Sequence, residues 1–287
     1  MSSSSRLDAL VAAFPSVVVG YSGGVDSALL AVTARRVLGR DRAVAAIGVS
    51  ASFPAVQHGQ AVEIARQFDL NLVEVVTDEL DDPGYVANAP SRCYFCKREL
   101  WTKLGAVARQ RGIAVVADGT NADDLREHRP GLQAAREFAI RSPLAEAGYT
   151  KADVRTAARA LGIPIWDAPA APCLSSRIMY GLSVSPERLR QVEQAEALLR
   201  SLGVEGDLRV RHRGDEARIE TAVSQLALVR AHQAQLGGRL RALGFSRVTL
   251  DLRGYRRGAL LEAGSPEVEV LAESPAEVEE RVPTGNV

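Results

Sequence analysis

Short apolar runs and longer amphipathic segments alternate along the first 170 residues. Val17 to Tyr21, Ala43 to Val49 and Leu70 to Val76 read as buried strands, with Ala28 to Leu38 and Ala55 to Phe68 as the helices between them. A basic amphipathic helix is expected from about Tyr94 to Arg111. It is followed by a short strand, Ile113 to Ala117, ending in Asp118-Gly119-Thr120-Asn121. Strands separated by helices imply an α/β fold, a parallel sheet with helices on both faces. Ligands on such sheets bind at the carboxyl ends of the strands, so the segment after Tyr21 and the segment after Ala117 are expected to open on one crevice.

The pattern changes further on. Lys151 to Leu161 is amphipathic, after which Gly162, Pro164, Pro169 and Pro172 break the periodicity and mark a candidate hinge. Ser185-Pro186-Glu187 is a helix start, and the helix runs to about Leu202 with Gly203 as its stop. Leu208 to His212 and Ala217 to Glu220 bracket a turn as a hairpin; Val223 to Leu243 reads as one helix and Arg247 to Leu252 as a last strand. The expected organisation is a first domain over 1–170, a cysteine-containing linker loop over 171–184 and a smaller C-terminal α/β domain over 185–262. Residues 263–287 are acidic, contain proline and lack aromatics, which predicts a mobile tail. No repeats or heptads are evident.

Composition narrows the partners. The 287 residues carry 35 basic and 35 acidic side chains, so no global charge draws the chain to nucleic acid or to an anionic membrane. Met-Ser-Ser-Ser-Ser at the N-terminus lacks a basic region followed by an apolar run, and no apolar stretch reaches spanning length. A soluble cytoplasmic protein is expected, with a small molecule as partner. The three cysteines, Cys93, Cys96 and Cys173, do not suggest a disulfide framework.

The segment Ser22-Gly23-Gly24-Val25-Asp26-Ser27 lies where the first strand gives way to a helix. Two glycines let the backbone turn tightly and approach a ligand, while Ser22, Ser27 and the free N–H groups of the new helix point donors at an anion. Asp26 adds a carboxylate suited to Mg²⁺ accompanying a phosphate. No lysine follows the glycines, so this is not a Walker A loop. It looks like the PP-loop, Ser-Gly-Gly-x-Asp-Ser, of the ATP pyrophosphatase superfamily, whose members cleave ATP between its α and β phosphates. A plain serine-capped Gly-Gly turn is the simpler alternative.

Arg92-Cys93-Tyr94-Phe95-Cys96-Lys97 places two thiols at a spacing that reaches one metal. Cys-x-x-Cys also serves zinc sites and redox pairs, but here it follows a loop rather than a thioredoxin-like strand. Cys173, in Pro172-Cys173-Leu174-Ser175-Ser176-Arg177, is a third thiol that an adjacent Arg177 could hold as thiolate. Three cysteines without a fourth suit a [4Fe–4S] cluster with one open iron. Zinc would have to recruit His58, His128, His212 or His232, and free thiols are the remaining reading. Arg209 and Arg211 alternate on one strand and so share a face, where a guanidinium pair suits a phosphate; ordinary surface arginines on an edge strand are the alternative. Asp118 and Asn121 at a strand end are candidate ligand contacts or simple turn formers. Trp101 reads as core.

Further motifs join these: Asp-Gly-Thr-Asn-Ala-Asp-Asp at 118 to 124, Arg-Pro-Gly-Leu at 129 to 132, Arg-Ser-Pro-Leu at 141 to 144 and Cys-Leu-Ser-Ser-Arg at 173 to 177. Together with the loop at 22 to 27 and the cysteine pair, they make the chain resemble the LarE family up to about Leu260. That resemblance implies an enzyme that uses ATP and Mg²⁺ to adenylate a carboxylate of pyridinium-3,5-biscarboxylic acid mononucleotide, releasing pyrophosphate. The activated oxygen is then replaced by sulfur in the synthesis of the nickel-pincer nucleotide.

The resemblance also implies site roles. Ser22, Gly23, Gly24, Asp26, Ser27, Asp118, Asn121 and Arg177 are placed with the nucleotide, and Ser22, Asp26, Ser27 and Cys173 with the chemistry. Arg209, Arg211 and a helix glutamate matching Glu196 are placed at a phosphate or metal site near a subunit interface. In one LarE subtype a cysteine in the Cys-x-x-Ser-Arg region gives up its sulfur and becomes dehydroalanine. In the other, three cysteines hold a [4Fe–4S] cluster carrying a transferable sulfide. Cys93, Cys96 and Cys173 place this chain with the cluster subtype, which needs a sulfur source to reload it; a homo-oligomer is implied as well. The chemistry is consistent with this: a carboxylate accepts sulfur only after its oxygen becomes a leaving group, and loop amides, serines and Mg²⁺ serve the charge on the phosphates. The rivals are a PP-loop tRNA thiolation enzyme, which would be expected to show a basic face, and a metal-stabilised nucleotide-binding module without turnover.

Overall fold

Val17, Val18 and Val19 are all buried, because successive side chains of a central strand point to opposite faces of a sheet that is covered on both. The structure, a computed structural model, describes residues 3–126, 130–169, 172–256 and 267–273. The chain divides into two compact units, Met1–Pro172 and Cys173–Val287.

In the first unit, β1 (Val17–Gly20), β2 (Ala43–Val49), β3 (Asn71–Val76) and β4 (Val115–Ala117) form a parallel sheet in the order β3-β2-β1-β4. Val17 of β1 registers with Ala43 of β2 and with Val115 of β4. The helices are α1 (Ser3–Ala12), α2 (Val25–Leu38), α3 (Ala55–Gln67), α4 (Pro83–Val86), α5 (Arg92–Arg111), α6 (Pro130–Glu137), α7 (Pro143–Glu146) and α8 (Lys151–Ala160). Val17, Val19, Ala45 and Ile47 pack with Leu29 of α2, Ile64 of α3 and Val154 of α8 on one face. Val18, Val44 and Ala46 pack with Trp101 and Leu104 of α5 and with Ala134 of α6 on the other. Trp101 is core, as expected, at 1 % exposure.

Two boundaries differ from the sequence reading in ways that matter for the site. Helix α2 starts at Val25, three residues before the apolar run, because Gly24 at its N-cap is extended and the Ala28 N–H already bonds the Gly24 carbonyl at 2.9 Å. Asp26 and Ser27 therefore stand in its first turn. Helix α5 starts at Arg92, two residues before the expected Tyr94, so that Cys93 joins Cys96 on the helix. Helices α1, α4, α6 and α7 were not anticipated.

The second unit holds β5 (Leu208–Arg213), β6 (Glu216–Thr221), β7 (Arg247–Asp251) and β8 (Val268–Glu273), in that order, with α9 (Pro186–Ser201), α10 (Leu226–Ala231) and α11 (Gln233–Ala242). β5 and β6 are the expected antiparallel hairpin, β6 and β7 run parallel, and β7 and β8 antiparallel. Leu208, Val210, Ala217, Ile219, Val248 and Leu250 alternate onto one face and join Leu199 of α9 and Leu240 of α11 in a single core. The single helix expected over 223–243 is broken at His232, whose φ of −103° and ψ of 13° leave the helical range.

The tail expectation is corrected in part. Val268–Glu273 is an ordered strand, with Arg230 paired to Glu269 at 2.7 Å and Gly237 of α11 packed so closely that a Cβ there would lie 2.7 Å from the Ala272 Cβ. Its acidic residues are ion-pair partners, not signs of a solvated coil. The rest of that call, 263–266 and 274–287, lies outside the described residues. The expected linker is also corrected: Leu174–Arg177 forms a short 3₁₀ turn and Ile178 bridges to His212, so 173–178 is built into the second unit. No helix among the described residues is long and apolar enough to cross a membrane.

Candidate active site

The loop between β1 and α2 is shaped by its own side chains. Ser22 donates its N–H to the Ser27 hydroxyl at 3.1 Å, the two hydroxyls lie 3.2 Å apart, and Ser27 donates to the Gly24 carbonyl at 3.0 Å. Gly23 has φ +71°, and a Cβ there would lie 2.6 Å from the Ala61 Cβ of α3, so both conformation and space demand glycine. From α3, Gln57 donates its Nε2 to the Ser22 carbonyl at 2.8 Å, and the Tyr21 hydroxyl donates to the Ala61 carbonyl at 2.9 Å. The loop is thus held from behind while the first turn of α2 presents its N–H groups.

The segment after β4 closes on the same turn. Gly119 sits so near α2 that a Cβ would lie 2.7 Å from the Ser27 nitrogen. Asn121, 2 % exposed, donates its Nδ2 to Asp26 Oδ1 at 3.1 Å and accepts the Asp123 and Asp124 N–H groups at 3.0 and 3.2 Å. Asp118 uses its carboxylate locally, accepting from the Thr120 N–H (3.1 Å), the Thr120 hydroxyl (2.8 Å) and the Ser142 hydroxyl (2.8 Å). It acts by fixing the turn that carries Asn121.

A residue that sequence reading missed completes the group. Lys151 Nζ is ion-paired with Asp26 Oδ2. Thr150 and Asp153 form a reciprocal capping box that starts α8, and the Lys151 N–H donates to Asp123 at 2.8 Å. The helix start was legible, but nothing in the sequence said that its first residue reaches back to a loop 125 positions earlier. Asp26, Asn121 and Lys151 thus stand together at the N-terminal turn of α2, where its free N–H groups are suited to an anion. An accessible carboxylate beside those donors has the chemistry to carry Mg²⁺, with the Lys151 ammonium released toward a phosphate.

Cys93 and Cys96, exposed and half-buried respectively and in no disulfide, lie in the first turns of α5. Their spacing of three puts them on one helical face, a soft-donor pair suited to iron or zinc. Arg92 beneath them is buried and donates to Asn88 Oδ1 at 2.5 Å, and the Lys97 ammonium lies 4.9 Å from the Trp101 ring centre. Cys93 and Cys96 belong to the first unit and Cys173 to the second. Among the described residues, no three His, Cys, Asp or Glu side chains are grouped as a metal site. Of the histidines weighed for zinc, His58 pairs with Glu74 at 2.9 Å, His212 with Gln191 at 2.9 Å and His232 with the Leu228 carbonyl at 3.0 Å. His128 lies outside the described residues.

In the second unit, Arg177 is tied to α9 and to the Cys173 backbone. Its guanidinium grips Glu196 in a fork, Nε to Oε1 at 2.9 Å and Nη2 to Oε2 at 3.1 Å, and donates Nη1 to the Cys173 carbonyl at 2.9 Å. That carbonyl also accepts the Ser176 N–H and hydroxyl, at 3.0 and 2.7 Å. Arg177 therefore braces the backbone that presents Cys173. Glu196 also accepts the Val210 N–H at 3.1 Å, so a metal on Glu196 would have to open the Arg177 pair. β5 is an edge strand of its sheet, as the plainer reading had it, but Arg209 and Arg211 are 6 % and 7 % exposed and so are not surface residues. Arg211 pairs with Glu220 at 2.8 Å, and Arg209 lies 5.0 Å from the Tyr255 ring centre. Burial first, then the neighbouring Arg177 charge, hold Arg209 below the ordinary guanidinium range.

The chain is similar to known proteins over most of its length. The family model described as NAD synthase matches residues 8–89, the stretch that contains the Gly-Gly loop. An uncharacterised protein of Synechocystis sp. is 44% identical over 246 residues, covering 85% of this chain and 91% of that protein. Pyridinium-3,5-bisthiocarboxylic acid mononucleotide synthase of Lactiplantibacillus plantarum is 37% identical over 244 residues, covering 85% of this chain and 88% of that enzyme. An uncharacterised protein of Methanocaldococcus jannaschii is 31% identical over 243 residues, covering 84% and 90%. With a PP-loop geometry in place and this identity across nearly its full length, the chain belongs to the LarE family of ATP-dependent PP-loop sulfurtransferases.

Proposed function

We propose that this enzyme adenylates a carboxylate of pyridinium-3,5-biscarboxylic acid mononucleotide and replaces the activated oxygen with sulfur, giving the thiocarboxylate used to build a nickel-pincer nucleotide. The observation that carries the reading is the meeting of Asn121 and Lys151 on Asp26 in the first turn after the Gly-Gly loop. Donors for pyrophosphate, a carboxylate for Mg²⁺ and a mobile ammonium are what attack on an α-phosphorus requires. The substrate carboxylate oxygen bonds to that phosphorus, the bond to the β-phosphate oxygen breaks, and pyrophosphate leaves. Loop amides, Ser22 and Ser27 take up the charge on the departing group. A sulfur nucleophile then attacks the acyl carbon, and AMP departs with the carbon–oxygen electron pair.

The thiols of Cys93 and Cys96 fit a soft metal centre, since they share one helical face. A [4Fe–4S] cluster, if held by Cys93, Cys96 and Cys173, would supply the sulfide that replaces the activated oxygen. Arg177 and Glu196 hold the Cys173 backbone for that role, and Arg209 with Arg211 is suited to the mononucleotide phosphate. An acyl adenylate beside a bound sulfur gains a large proximity effect over hydrolysis.

The test uses the full chain, purified without oxygen and assayed for iron and acid-labile sulfide, then given ATP, Mg²⁺ and the biscarboxylate mononucleotide. Pyrophosphate release with formation of thiocarboxylate supports the reading; absence of both with a cluster-loaded protein overturns it. Conversion of Cys173 to dehydroalanine in step with product would transfer the sulfur-donor role to that thiol. Unchanged sulfur transfer in Cys93→Ala or Cys96→Ala would remove the three-ligand assignment.

A further inference from the structure

Glu79 is a buried carboxylate that the chemistry above does not use. It follows β3 in a short 3₁₀ turn, Glu79–Asp81, and is 2 % exposed. Its Oε1 accepts two hydroxyls, from Ser50 at 2.6 Å and from Ser52 at 2.7 Å, and the Ser52 N–H turns back onto the Ser50 hydroxyl at 3.2 Å. Its Oε2 is fully buried without a partner. A buried carboxylate oxygen left unpaired is costly, and such an atom calls for a donor.

Its place in the sheet says which donor. Ser50 is the first residue after β2, and β2 lies beside β1 in the order β3-β2-β1-β4. The Gly-Gly loop sits at the end of β1, and Asp26, Asn121 and Lys151 hold the β4 side of it. The remaining direction along the carboxyl ends of the strands runs over the loops after β2 and β3. A second buried acceptor without a partner, Gln57 Oε1, lies at the start of α3 on that same side, its amide nitrogen already on the Ser22 carbonyl. A triphosphate brings no hydrogen-bond donors. The nucleoside does, as ribose hydroxyls and the exocyclic amine of adenine.

We propose that Glu79 is a specificity-determining positioning residue: through Ser50 and Ser52 it shapes the wall that receives the nucleoside half of ATP, and its second oxygen accepts a nucleoside donor. Because Oε2 is fully buried, the assignment requires the Ser50–Phe53 segment to shift when that donor enters. This assignment presupposes that the Gly-Gly loop binds ATP, and it needs neither the cluster nor the biscarboxylate substrate.

The test is calorimetric binding to the full chain, with Mg²⁺, of ATP, inosine triphosphate, 2′-deoxyATP, 3′-deoxyATP and pyrophosphate. The wild type is expected to disfavour by about tenfold the analogue lacking the donor that Glu79 reads, inosine triphosphate for the amine or a deoxy analogue for a hydroxyl. Glu79→Gln is expected to weaken ATP about tenfold, to erase that preference and to leave pyrophosphate unchanged. Ser52→Ala, which deletes only one hydroxyl from the wall, is expected to weaken ATP and spare pyrophosphate, and it serves if Glu79→Gln does not fold. Equal binding of all analogues by the wild type overturns the assignment. So does a variant that loses ATP and pyrophosphate together. A wild type that binds neither ligand strikes at the ATP reading itself and removes this assignment with it.

Discussion

Lys151, the first residue of α8, places its ammonium on the carboxylate of Asp26, the second residue of α2. The pair is partly solvated, with side-chain exposures of 41% and 23%, so as a structural tie it contributes under about 1 kcal/mol. Its position, beside the first turn of α2 after the Gly-Gly loop, places it in the proposed ATP site. Lys151→Met is therefore expected to leave thermal stability nearly unchanged while lowering ATP-dependent pyrophosphate release by roughly tenfold to a hundredfold, the worth of one charge-assisted hydrogen bond to phosphate. Parallel melting curves and pyrophosphate assays check this; a variant as active as wild type would remove Lys151 from the site.

The two loop glycines have different duties. Gly23 has φ +71° and faces the Ala61 Cβ, whereas Gly24 has φ −79° and would place a Cβ no nearer than 3.5 Å, to the Ser22 hydroxyl. Gly23→Ala is expected to cost about 1–3 kcal/mol, from the left-handed backbone and the clash, and to abolish ATP binding. Gly24→Ala is expected to keep the fold. Comparing melting temperature and ATP affinity of the two variants separates conformational need from ligand approach, since a Gly24→Ala that folds but binds weakly marks contact with phosphate.

The readability of this molecule follows the range of its interactions. The strands carrying Val17 to Val19 and Ala43 to Ile47 were legible because their burial on both faces writes a continuous apolar run. The Gly-Gly loop was legible because its demands on φ and donor placement are local. Lys151 was not, because a single lysine at a capped helix start looks the same whether it meets solvent or Asp26. The pair that holds Arg177 was hidden for a related reason: its neighbour in sequence is Ser176, but its charge partner, Glu196, comes from α9. Strand β8 was hidden by acidic residues whose arginine partners lie on other elements.

Arg177 and Glu196 form a largely buried pair, with side-chain exposures of 5% and 16%. Glu196→Gln leaves the guanidinium without its counter-charge, and the expected loss of stability is about 3–5 kcal/mol, mainly from that uncompensated burial. Because Arg177 also holds the Cys173 carbonyl, the same variant is expected to speed alkylation of Cys173 by loosening its loop. Equilibrium denaturation and timed thiol labelling measure the two effects. Labelling at the wild-type rate in a destabilised variant would show that the brace does not reach the thiol.

His212 on β5 gives the second unit a pH-dependent stability. It is 2 % exposed against Phe245, and burial, with the Arg188 charge as a lesser cause, pushes its imidazole down from 6.5 to about 4. The unfolded chain therefore takes up this proton first as the pH falls. The stabilisation from a neutral, buried His212 is complete above pH 6.5 and is lost progressively between pH 6.5 and 4. About 3 kcal/mol is the most that such a shift can contribute. Chemical denaturation across that pH range is expected to show this decline in the wild type and a flatter profile in His212→Leu. A wild-type profile as flat as that of the variant would show that His212 titrates alike in the folded and unfolded chain.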